Sequence, residues 1–156
     1  MSIRELCKLV PPPTAPAAVP ARPNWSDIEE GIGVTLPRDY KQFVELYGTG
    51  LFAGLIRIFN AFEPDPYGEL NSSIVRISAY LRQRRSDYGA KVVPYEVYPS
   101  RPGLMAFGND ENGNELQWYT KGRPNQWSVV VLEGREGRWQ EFDCTMTEFL
   151  TRALTK

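Results

Sequence analysis

A chain of 156 residues, 42% hydrophobic and 24% charged, has room for one domain with a real core and hardly for two. Its 18 basic and 19 acidic residues leave a net charge of -1, which argues against direct binding of nucleic acid, because a basic surface supplies most of that affinity. The chain has no histidine, which excludes Ser-His-Asp and Cys-His catalysis and any His-containing zinc site. Carboxylate, Lys or Tyr chemistry survives that test, but the expectation is a non-enzyme without metal or cofactor. No apolar run approaches the ~20 residues that cross a bilayer, and the N-terminus lacks the apolar core of a secretory signal. Cys7 and Cys144 lie far apart in no metal-like spacing, and two thiols without a disulfide framework predict a reducing compartment, the cytoplasm.

Residues 1–23 hold six of the 13 prolines with four alanines among them. Proline fixes φ and removes amide donors, so PPPTAPAAVPARP predicts an extended, partly polyproline II arm or linker, with a PxxP-type ligand as the alternative. A single domain is expected over 24–156. Trp25, Ile28 and Ile32 share one face of a short helix; Ser26 with Glu29 and Asn24 compete to cap it, and Gly31 and Gly33 end it. In LPRDYKQFVELYGTG, Pro37 suits a first helical position. Leu36, Tyr40, Phe43, Val44 and Tyr47 form the apolar stripe of that helix, and Gly48 stops it.

Residues 51–59 read as one strand and 63–68 as a loop. Ile74, Ile77 and Leu81 predict a helix that frays among Arg84, Arg85 and Ser86. Arg76, Arg82, Arg84 and Arg85 scatter around that helix at ~100° per residue, which favours a solvated helix over a phosphate-binding face. Strands are expected over 104–107, 115–120 and 127–132, the last apolar on both faces and therefore covered on each side. After a turn at 133–137 comes a short segment through Trp139 and Phe142. Thr145 and Glu148 make a capping box ahead of Met146, Phe149, Leu150, Ala153 and Leu154 at helical spacing. The order predicts an α+β fold: N-terminal helices, a mostly antiparallel sheet of about four to six strands, and a closing C-terminal helix.

WSDIEEGIGVTLPRDYKQFVELYGTG resembles the entry motif of the SUKH superfamily, in which W-x-x-I-E leads to L-P-x-D-Y-x-x-F and a Gly-rich exit. FGNDENGNELQWYTKG, WSVVVLEG and MTEFLTRAL are similar to its later blocks. The resemblance covers roughly residues 24–155. It marks Trp25, Ile28, Leu36, Pro37, Tyr40, Phe43, Gly48, Gly113, Phe149 and Leu150 as framework positions. The superfamily includes a fungal regulator of cell-wall assembly and many bacterial immunity proteins that bind and neutralise toxins, often nucleases. The resemblance therefore implies an α+β protein-binding domain with no chemistry of its own. The chain departs from the family pattern in having Asn114 after Gly113 and no carboxylate near Trp118, and the proline-rich segment lies outside that pattern.

The run FGNDENGNELQW invites sharper readings. As a calcium loop it has ligand types at Asp110, Asn112 and Asn114, but Leu116 stands where the loop needs glycine and Lys121 where it needs glutamate. As an acid–base pair, adjacent Asp110 and Glu111 lack the burial that would separate their pKa values. A hairpin fits better, because Asn112 and Gly113 tolerate positive φ between apolar flanks. Trp25 is expected in the core. Trp118 and Trp127 fill the space between sheet and helix or stack on a sugar or partner, and Trp139 is the least constrained. Acidic clusters at Glu63, Asp65 and Glu69, and at Asp110, Glu111 and Glu115, suit steering of a basic partner. The expected contacts to a cognate toxin or other protein are Glu63, Asp65, Tyr67, Asp110, Glu111, Asn112 and Trp139, on a monomer or weak homodimer. Competing readings are an adaptor whose proline arm engages a second partner, and a small carbohydrate-binding domain.

Overall fold

A computed structural model gives the fold for residues 3–134 and 136–155. Helices α1 (Ile3–Leu9), α2 (Trp25–Ile32) and α3 (Arg38–Tyr47) come first, followed by strands β1 (Leu51–Phe52) and β2 (Ile56–Ile58). Helix α4 (Leu70–Tyr88) precedes β3 (Leu104–Asp110), β4 (Glu115–Tyr119), β5 (Ser128–Glu133) and β6 (Arg138–Phe142), and α5 (Met146–Leu154) closes the chain. The six strands form one antiparallel sheet in chain order, so the expected α+β architecture is what the chain adopts.

Pairing puts Met105 opposite Trp118, Trp118 opposite Val129, and Val129 opposite Phe142, so these side chains share one face. That face packs with Leu36, Tyr40, Phe43, Val44 and Leu150 from the α3 region and α5 in the larger core. On the other face Leu104 and Val130 pack with Leu81 of α4 and with Val93 and Val97. Strand β5 is thus covered on both sides, as its unbroken apolar run predicts. Phe107 is bulged between Ala106 and Gly108, and a Cβ at Gly108 would lie 2.4 Å from the Arg57 carbonyl, so only glycine permits this approach of β2 and β3.

Three stretches differ from the sequence expectations. Residues 51–59 are a hairpin, not one strand: a three-residue connection, Ala53 to Leu55, turns the chain through Ala53 at φ 54 and Gly54 at φ 71, with Leu55 N–H donating to Phe52 O at 3.1 Å. Alanine is an unusual residue to adopt positive φ. Helix α4 does not fray at Arg84. Arg85 pairs with Glu96 at 3.2 Å, Arg82 donates to the Tyr98 carbonyl, and Gln83 donates to Asp87 at 2.9 Å, which hold the last turns in place.

The third difference lies ahead of Asn24. Helix α1 precedes the proline-rich stretch, its Leu6 is fully buried, and it packs on α3 and α5. Tyr47 O–H donates to the Val10 carbonyl at 2.5 Å, Thr49 N–H to Ala17 O at 3.0 Å, and Asn60 Nδ2 to Ala18 O at 3.1 Å. The prolines lack donors, so the segment is held through its carbonyls.

Gly48 makes that attachment possible. It sits at φ +64, and a Cβ there would stand 2.3 Å from Ala17 O. Gly48→Ala is expected to lower unfolding stability by about 2 kcal/mol or more in urea titration. Gly113→Ala, at φ +82 but with open space around it, should cost only about 1 kcal/mol.

Candidate functional site

Nineteen residues make α4 about 28 Å long. Leu70, Ser73, Ile74, Ser78 and Leu81 face the protein, which leaves the opposite side to solvent. Arg76, Tyr80, Arg84 and Tyr88 follow at four-residue steps and therefore neighbour one another along the helix. The Arg84 guanidinium lies 5.8 Å from the Tyr80 ring and 5.2 Å from the Tyr88 ring, and Arg76 lies 4.9 Å from the ring of Tyr67. Tyr67 itself is 70% exposed.

Tyr67 is presented by a turn that its own carboxylates build. Asp65 Oδ1 accepts the Tyr67 N–H at 3.0 Å and Glu63 Oε1 accepts the Asp65 N–H at 3.2 Å. Glu63 Oε2 accepts the Thr49 hydroxyl at 2.5 Å, and the Glu69 carboxylate caps α4 through Asn71 and Ser72. The β3–β4 hairpin repeats this economy. Asp110 Oδ1 accepts the N–H groups of Asn112 (2.9 Å) and Asn114 (3.0 Å), Oδ2 accepts Asn114 Nδ2 at 2.9 Å, and Gly113 turns the chain at φ 82. Glu111 and Asn112 remain exposed at its tip. Asp110 is committed to shaping the turn, as an Asx residue commonly is.

The two loops meet α4 on one side of the molecule. Arg76 rests on Tyr67, and its charge also acts on Glu115 at the base of the hairpin. A cavity of about 280 Å³ is lined by Tyr80, Arg84, Gly113, Glu115, Gly134 and Trp139, among others. Glu115 Oε2 is enclosed without a hydrogen-bond partner, and burial pushes the carboxyl above the usual range, with Arg76 opposing.

Trp139 belongs to this cavity but is tethered. Its indole N–H donates to Val92 O at 2.9 Å and its ring lies 5.6 Å from that of Tyr95, so it is half-buried support and not a free anchor. Trp118 and Trp127 are each 1% exposed and cannot stack on a sugar, which corrects that alternative; Trp25 packs against the larger core. The framework residues Tyr40, Phe43, Phe149 and Leu150 pack in or against the same core. Among the described residues, no group of three or more His, Cys, Asp or Glu is placed to hold a metal ion, and no helix is long and apolar enough to cross a membrane. The residues missed by sequence reasoning are Tyr80 and Tyr88. Considering arginines alone hides the alternation R-x-x-x-Y-x-x-x-R-x-x-x-Y over 76–88.

Comparison with known families places the chain independently. A SUKH family model described as SMI1-KNR4 cell-wall matches residues 23–150, a span that includes α4 and both loops. No match is found among curated proteins or among solved structures.

The Glu115 carboxyl makes a pH-dependent contribution of definite sign. Because its folded pKa is raised, its contribution is full below the unfolded value of about 4.3 and is lost as pH rises through the folded pKa. Urea titrations of wild type and Glu115→Gln should therefore diverge with pH. The wild type is expected to lose stability relative to the variant as pH rises from about 4 to 7.

Proposed function

Because the chain belongs to the SUKH superfamily, we propose that it is a protein-binding domain without chemistry of its own and, specifically, a cytoplasmic bacterial immunity protein that occludes a cognate toxin. The observation that carries this reading is the family match over residues 23–150, a range that includes α4 and both acidic loops. In this account Tyr67 is the anchor, offered at 70% exposure beside Arg76, and exposed aromatic and arginine side chains are the types that dominate tight interfaces. Glu63, Asp65, Asp110, Glu111 and Asn112 supply the acidic, Asn-rich margin. Such a margin steers a partner whose overall charge is basic. Occlusion needs only this surface.

The proposal expects a toxin encoded beside this chain, and co-expression with it is the test: a stable complex and restored growth are expected, and absence of any complex overturns it. Within that complex, Tyr67→Ala is expected to cost about 2 kcal/mol, mostly as faster dissociation. Glu111→Lys should instead slow association about tenfold at low salt and little at high salt, as read by stopped-flow mixing.

A further inference from the structure

The flank of α4 that carries Arg76, Tyr80, Arg84 and Tyr88 has the composition of an interface. Tyr80 and Tyr88 are 53% and 61% exposed, and the arginines that lie against their rings link them to Tyr67: Arg84 meets Tyr80 and Tyr88, and Arg76 meets Tyr67. Monomeric surfaces scatter such residues singly, and a contiguous group marks an interaction site. The arginines between them are held in a particular way. Arg84 has no hydrogen-bond or ion-pair partner among the described residues, and Arg76 has only a 3.3 Å hydrogen bond to Ser73 Oγ. Their guanidinium groups lie against tyrosine rings instead. A cation–π contact uses the guanidinium's charge and not a conventional hydrogen bond, so its N–H groups can still take an acceptor.

We propose that this face of α4 docks an acidic segment of a protein partner, Arg76 and Arg84 each taking a carboxylate while Tyr67, Tyr80 and Tyr88 cover its apolar side chains. The proposal rests on the protein-binding reading and names the chemistry of what is bound. Charge complementarity commits the occupant. The two arginines are eight residues apart, about 12 Å along the helix, and are uncompensated by any carboxylate within 4 Å among the described residues. A planar guanidinium fork fits a carboxylate with two parallel hydrogen bonds. A nucleic-acid backbone presents the same charge but is disfavoured here, since the loop with Glu63 and Asp65 adjoins the stripe through Tyr67, and the hairpin with Asp110 and Glu111 adjoins it through Gly113 and Glu115, and their charges would repel a long polyanion. A short acidic segment seats between those flanks. Ring stacking also restrains the long arginine side chains before binding, which reduces the entropy lost on association.

The test uses the purified full chain and a synthetic peptide alternating glutamate with leucine, followed by NMR titration, with an oligothymidylate of equal charge as the competing probe. The peptide is expected to move the amide signals of residues 76–88. Arg76→Gln/Arg84→Gln should weaken its binding at least tenfold, and the oligothymidylate should bind more weakly than the peptide. Should the double variant fail to fold, Arg84→Gln alone, which breaks no hydrogen bond or ion pair among the described residues, is expected to weaken binding at least threefold. Unchanged affinity in the variants, or signals moving only elsewhere, overturns the proposal. Equal or tighter binding of oligothymidylate also overturns it, in favour of a nucleic-acid site. No toxin enters this experiment, so its failure is distinct from failure of the immunity reading.

Discussion

The Tyr40 side chain joins four parts of the fold at one point. Its hydroxyl donates to the Phe59 carbonyl at 2.5 Å, while its ring stands edge-on to Trp25 at 5.9 Å and to Trp118 at 5.2 Å. One residue thus ties α2, α3 and β4 to the end of β2. It is fully buried, and that burial raises the phenol's pKa far above its ordinary value, so it serves only as a neutral donor. Next to it, Asp39 Oδ2 accepts both the N–H (2.9 Å) and the hydroxyl (2.6 Å) of Thr147, which fixes the start of α5 against α3. The Asp-Tyr pair of the entry motif therefore sets the two main packing relations of the larger core.

From Phe59 the constraint passes outward to the candidate site. Asn60, 1% exposed, accepts the Phe62 N–H at 2.9 Å and donates to Thr49 Oγ1 at 3.0 Å and to Ala18 O. Thr49 in turn holds Glu63, whose other oxygen begins the turn that presents Tyr67. The exposed Tyr67 is thus the end of a hydrogen-bonded chain that starts in the core, and the proline-rich segment is built into it. Rigid support of this kind is what a binding loop needs if little affinity is to be lost in ordering it.

Local rules made much of this legible. The stripe of α3, the Thr145–Glu148 capping box and the doubly apolar β5 each state their structure in a few residues, because periodicity and capping are local. What was not legible depended on distant partners. Helix α1 is seven residues long and has its Leu6 buried only because α3 and α5 receive it. The end of α4 is secured by Glu96 and Tyr98, which lie beyond it in the chain. Of the candidate site, the turn chemistry around Asp65 and Asp110 was readable from their Asp, Asn and Gly residues. That Glu63 is tied to Thr49 was not, nor that α4 joins the two loops into one face, because both follow from tertiary placement.

The account makes one face of the molecule, α4 with the loops at either side, the surface that meets a protein partner, while α1, α3 and α5 are committed to the core. Hydrogen–deuterium exchange of the chain alone and in complex with the protein partner that the proposed function assigns to it tests this most directly. The account predicts new protection across residues 63–69, 76–88 and 110–115, with little change in α5. Protection confined to α5 and residues 11–23, with α4 unchanged in the complex, would contradict it.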